Sequence, residues 1–280
     1  MLTPTLAALA RFKAGRLTRR SRYKAQLDDL PAGLFPYWAA SAHREFEGIR
    51  RDAFFFTCAA EALMQFFECV AHSSRECALP SKAADSVWHA WLRYSPMGLE
   101  QFCAKHFFRV IDHVEAADMR GPLPVALAVC LVKARMQEGG MRAGMHLPRV
   151  FAVDRQLRMA GGYGYSLNQG RVGFTQLNGA GKPTGATLYP DLFTPELLLT
   201  HGLIDASEAE WARRRLTELA TASSDSSGSS GSDSGSFSSS SDSASGCDSS
   251  DGGGGDSGCD SGSSCGSSCG SGCGGGGGGD

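Results

Sequence analysis

Asp85, His89, Cys103, His106 and His113 crowd into one stretch, PSKAADSVWHAWLRYSPMGLEQFCAKHFFRVIDH. All five are of types that ligate first-row metals or move protons. Asp85 and His89 are four apart, which puts both on one face of a helix. Cys103, His106, Val110 and His113 follow at intervals of three, four and three, again one face if the helix runs that far. Ser95-Pro96 breaks the chain between the two groups and predicts an antiparallel helical hairpin. Counted outward from that break, His89 lies level with Cys103 and Asp85 level with His106, whereas His113 falls about 10 Å further along at 1.5 Å per residue.

Three chemistries suit this set. An Asp, two or three His and a Cys facing one another would hold a metal, zinc being the expected ion. A Cys–His pair would instead lower the thiol pKa and make a nucleophile. The same side chains would also serve a plain core, since cysteine is among the most buried residues and a histidine beside tryptophan often fills space with one hydrogen bond satisfied. Spacing alone does not choose among them. Other signatures fail on their residues. NGAGKPTG has Gln176 where a phosphate loop begins with Gly and Pro183 where its Ser/Thr ligand belongs. GYSLN lacks the second Gly of a nucleophile elbow. HREFE is not a metalloprotease helix.

The elements that must position these residues read as mostly α. Phe55, Cys58, Ala62, Leu63, Phe66, Phe67 and Val70 recur at helical spacing and turn much apolar surface inward. Ser81 is the predicted cap of the Asp85/His89 helix, whose buried face is Val87, Trp88, Trp91 and Leu92; Trp88 is expected to be the more buried tryptophan. Ser95 caps the next helix, expected to run to about His113. PVALAVCLVKARMQE makes another, ended by Gly139-Gly140. From about 149 to 190 the texture changes: RVFAVD, GYGYSL, RVGFTQL and GATLYP are β-capable and separated by turn signals, predicting a minor antiparallel β ribbon. Two further helices follow, the last opened by an Asp205/Glu208 capping box. The expectation is a single helical body over 1–221.

Composition changes abruptly after that. Residues 222–280 are nearly all Ser, Gly, Asp and Cys, with Phe237 the only large apolar side chain. Ordering such a segment costs roughly 1–2 kcal/mol per residue with no burial to offset it, so disorder is expected. It holds eight of the 29 acidic residues and no Lys or Arg, leaving the body net positive and the tail negative. The first 24 residues carry Arg11, Lys13, Arg16, Arg19, Arg20, Arg22 and Lys24 without an acid, beside Leu2, Leu6, Leu9 and Phe12. A docking helix or weak contact of 1–24 with an anionic membrane suits that pattern. The charges follow the apolar stretch, contrary to a secretory signal, and no apolar run reaches 18 residues. With an odd number of body cysteines, a reduced cytoplasmic setting is expected. Nothing predicts a specific nucleic-acid partner; a protein partner is compatible with the chain, and the oligomeric state is not encoded legibly.

Pro80, Ser81, Asp85, Trp88, His89, Phe102, Cys103 and His113 carry a resemblance to the glycine-rich domain-containing protein-like family of bacteria and plants. The chain departs from that pattern at Leu99, at Phe108 (a usual Gly) and at Glu115 (often Pro). The resemblance implies interest in Asp85, His89, Cys103 and His113 as a group, and supplies no reaction. The tail is similar to microcin-type peptides, in which Cys and Ser flanked by Gly become thiazoles and oxazoles, although low-complexity drift gives the same composition. The leading expectation is a helical interaction module with an acidic, thiol-bearing tail; the alternative is a metal-binding protein or enzyme built on the hairpin.

Overall fold

The computed structural model describes residues 4–140 and 146–224, and the expected disorder of the tail concerns residues that lie, from 225 on, outside them. Among the described residues are ten α-helices and one three-stranded sheet. The organising element is α4 (Ala53–Ala71), with Asp52 as cap: its Oδ1 accepts from the Phe55 N–H at 3.0 Å. Phe55, Leu63, Met64, Phe66 and Phe67 are all buried, on every side of the helix. A helix apolar all round must sit inside, and each large side chain so buried contributes about 1.5–3 kcal/mol. It is long and apolar enough to cross a membrane by composition, yet here it is the core helix.

Around it pack α1 (Pro4–Arg20), α2 (Lys24–Asp28), α5 (Lys82–Tyr94), α6 (Pro96–Phe107), α7 (Leu123–Gln137) and α8 (Arg149–Leu157). Helix α3 (Leu34–Ser41) lies on α5, where the buried Trp38 Nε1 donates to Ser86 Oγ at 3.0 Å. On α1, Ala14 and Leu17 dock while Leu6, Leu9 and Phe12 stay exposed. A second, smaller core joins Ala128 and Val132 of α7 to Leu198 of α9 (Pro195–Thr200) and Ala209 of α10 (Ala206–Ser224). Helix α10 therefore passes the 221 boundary by three residues.

The predicted caps are in place. Ser81 Oγ accepts from Ala84 N at 3.0 Å, Ser95 Oγ from Gly98 N at 3.2 Å, and Asp205 with Glu208 closes its box at 2.8 and 3.0 Å. The sheet pairs β1 (Tyr163–Asn168), β2 (Arg171–Leu177) and β3 (Pro183–Leu188) antiparallel in sequence order. Gln169 and Gly170, both at positive φ, form its two-residue first turn.

Three expectations are corrected. The ribbon does not begin at 149: Arg149–Leu157 is a helix, and its buried positions, Val150, Phe151, Val153, Asp154 and Leu157, follow the helical period. Helix α6 stops at Phe107, because Phe108 takes a left-handed conformation at φ 59° and turns the chain back. Trp88 and Trp91 are both buried, Trp91 slightly the more.

Candidate metal centre

Asp85, His89 and His113 meet. His89 Nε2 is 3.1 Å from His113 Nε2, His113 Nε2 is 3.1 Å from Asp85 Oδ1, and Asp85 Oδ1 is 3.5 Å from His89 Nε2. Three potential ligand atoms thus form a nearly equilateral triangle. Atoms bound about 2.0–2.2 Å from one tetrahedral or octahedral ion lie about 3.0–3.5 Å from one another. The side chains are 29% (Asp85), 25% (His89) and 18% (His113) exposed, so all three are partly reached by solvent.

The His89 imidazole is held from behind. His89 Nδ1 lies 3.2 Å from Glu45 Oε2, and a carboxylate only accepts, so Nδ1 carries the proton and Nε2 presents its lone pair to the triangle. Glu45 is itself paired with Arg93, one turn beyond His89 on α5. Phe46 packs on the His89 ring at 5.9 Å and Trp88 edge-on to the His113 ring at 4.5 Å. Burial lowers the His89 pKa, against the pull of Asp85, which favours the neutral, ligating form. A carboxylate–histidine arrangement of this kind fixes the tautomer of metal-bound imidazoles.

Helix α5 is anchored by a residue that sequence reading passed over. Asp154 of α8 is fully buried, and four donors converge on it: Ser81 Oγ at 2.6 Å and Ala83 N at 3.0 Å on Oδ1, Lys82 N and Tyr163 N at 3.0 Å on Oδ2. A carboxylate at a helix N-terminus accepts the otherwise orphaned N–H groups and is favoured by the helix dipole. Burial pushes this carboxyl up, while the bonds from Ser81, Tyr163, Ala83 and Lys82 pull it down. A Cβ at Gly162 would come within 2.6 Å of Asp154 Oδ2, so only glycine leaves room.

Cys103 and His106 go elsewhere. Cys103 is fully buried, and burial pushes its thiol up to about 12, against the pull of the Ile111 backbone N–H. That removes the activated thiolate of a Cys–His pair and leaves Cys103 a packing role in the main core beside Phe102, Phe107 and Ile111. His106 Nε2 lies 2.7 Å from Asp29 Oδ2, which also accepts from Lys105 Nζ at 2.8 Å. These two bonds, Lys105 first, hold the Asp29 carboxyl below the usual carboxylate range. His113, placed too far along by a continuous helix, arrives because the helix ends early. Of the five residues singled out in sequence, the triangle takes Asp85, His89 and His113. Glu45 had no local signal, being 44 residues from its histidine.

Two imidazoles and one carboxylate on one face, with positions left open, are a donor set for zinc or another first-row divalent ion, and an ion so held lowers the pKa of a bound water. Without an ion, the His113 Nε2–H would have to be shared between Asp85 Oδ1 and His89 Nε2, a three-centre bond.

The fold and site thus define a mostly α, helical module carrying a His/Asp cluster. Residues 51–183 match the model of the UCP032817-like family, an uncharacterised family, and the matched span contains all three corners of the triangle and Asp154. This corrects the glycine-rich domain-containing assignment: the residues that carried that resemblance, from Pro80 to His113, lie inside the span matched to the UCP032817-like family. No curated protein and no solved structure matches the chain.

Proposed function

We propose that this protein binds one first-row divalent cation of the zinc type through Asp85, His89 and His113, with coordination positions open to a further ligand. The triangle of 3.1, 3.1 and 3.5 Å between the three ligand atoms carries this reading. The Glu45 carboxylate behind His89 supports it, because it selects the tautomer that ligates. Three protein ligands and an accessible face are the pattern of centres that act on a bound molecule, whereas structural zinc sites close with four.

Cobalt titration of the full-length chain tests the reading. Cys247, Cys259, Cys265, Cys269 and Cys273 of the tail would also take metal, so a variant with these five changed to serine runs alongside. The expected result is about one equivalent of Co²⁺ in that variant, with d–d bands and no thiolate-to-cobalt charge transfer. His89→Ala and His113→Ala should each abolish the bands. Equal cobalt binding by the His113→Ala protein would sink the proposal.

A further inference from the structure

Helix α1 docks with its small residues and turns its large ones out. Ala7 and Ala10 are half-buried, Ala14 is buried and Leu17 packs on the main core, a stripe spaced at three, four and three residues. A docking helix ordinarily sends its largest apolar side chains inward. Here Leu6, Leu9 and Phe12 are 51%, 47% and 61% exposed.

The same helix carries Arg11, Lys13, Arg16, Arg19 and Arg20 and no acid. All five are exposed, and none forms an ion pair among the described residues. The next cations along the chain do find acids: Arg22 pairs with Glu68 and Lys24 with Asp28. At about 100° per residue, the three large apolar residues share one arc of about 140° with every cation of the helix but Arg11, turned away from the alanine stripe. Along that arc the apolar residues come first and the cations second, over about 20 Å.

We infer that α1 is a docking face for an anionic lipid surface, with Leu6, Leu9 and Phe12 entering the acyl boundary and Lys13, Arg16, Arg19 and Arg20 reaching the headgroup phosphates. Apolar burial and attraction to anionic lipid add in such a helix. Long basic side chains lay their stems along apolar surface while their charge stays in the polar layer. Successive steps of three residues drift about 60° round the helix, so the apolar trio forms no straight ridge for a protein groove. A fluid surface imposes no such register. A second copy of α1 would set like charges against one another. The acidic residues 225–280 match the charge, yet they supply one large apolar side chain, Phe237, for three exposed ones.

Vesicle sedimentation of the full-length protein tests this, with phosphatidylcholine alone against equal parts of phosphatidylcholine and phosphatidylglycerol. The protein should partition onto the mixed vesicles and not the neutral ones, and added salt should weaken the binding. Leu6→Ser/Leu9→Ser/Phe12→Ser and Arg16→Gln/Arg19→Gln/Arg20→Gln change exposed residues, so both should melt like wild type. Each should bind the mixed vesicles about tenfold or more weakly. Soluble polyglutamate at equal charge concentration should bind more weakly than those vesicles. No partition onto mixed vesicles, equal partition onto neutral ones, or undiminished binding by either variant would overturn the inference. Polyglutamate binding as tight as the vesicles would overturn it in favour of an acidic macromolecule, and self-association lost in the serine variant in favour of a second copy.

Discussion

His89 and His113 meet through their Nε2 atoms at 3.1 Å although they are 24 residues apart and lie on different elements. His89 gets there from a helix, and its ring is fixed by Glu45; His113 gets there from a loop, its ring fixed by Trp88. The two sides should therefore fail differently. Glu45→Gln keeps the shape and weakens the hold on the His89 tautomer. It should lower metal affinity about 10–100-fold while leaving Tm of the metal-free protein nearly unchanged. Competition with a chromogenic chelator measures the first and a melt the second. Unaltered affinity would mean that Glu45 serves only its ion pair with Arg93.

Asp154 should prove a larger structural determinant than any ligand. In Asp154→Asn the amide N–H₂ must face at least one backbone N–H that cannot accept: Lys82 N and Tyr163 N if turned one way, Ala83 N beside the adaptable Ser81 hydroxyl if turned the other. Leaving such a buried donor unpaired costs about 1–3 kcal/mol. Urea unfolding should register that loss, and it should exceed the roughly 1 kcal/mol of Ser81→Ala, which removes a cap. A cost of less than about 1 kcal/mol for Asp154→Asn would show that the helix start holds itself.

Cysteine chemistry gives a pH-dependent expectation. Burial pushes the thiols of Cys58, Cys77 and Cys103 up to about 11, 12 and 12, from an ordinary 9.0. They stay protonated in the fold while the unfolded chain ionises above 9.0, so the unfolded state binds fewer protons across that window. Stability from these groups is fully present below pH 9.0 and falls as pH rises toward 12. Cys103→Ala should flatten that fall. Iodoacetamide at about pH 8, below the ordinary thiol range, should leave Cys103 unmodified in the native protein, as peptide mapping would show. Rapid labelling there would contradict the burial.

Helices, caps and the cluster's first half were legible because they depend on neighbours in sequence. Asp85 and His89 share a face by spacing alone, and Ser81 and Ser95 announce their helices by type. The rest is either hidden by composition or set by tertiary contact. RVFAVD looked β-capable because valine and phenylalanine dominate it, although its buried positions keep the helical period and include Asp154. The end of α6 was illegible for a different reason. Phenylalanine is not a residue that announces a left-handed turn, so helical spacing carries α6 through it and sets His113 about 10 Å beyond the level of its partners.

That turn supplies the last expectation. Phe108 sits at φ 59° and is 91% exposed, so it carries backbone strain and no compensating burial. A left-handed conformation costs a non-glycine residue about 1–2 kcal/mol, and glycine recovers this less about 0.4–1 kcal/mol of added unfolded-state entropy. Phe108→Gly should therefore raise the stability slightly, with metal binding intact. Phe108→Val, β-branched and more strained at positive φ, should cost about 1–2 kcal/mol and loosen the return of the chain toward His113. The diagnostic comparison is metal affinity across the pair. If the turn at 108 delivers His113, valine weakens binding and glycine does not; equal affinities would assign that delivery to the Ile111–Cys103 contact instead.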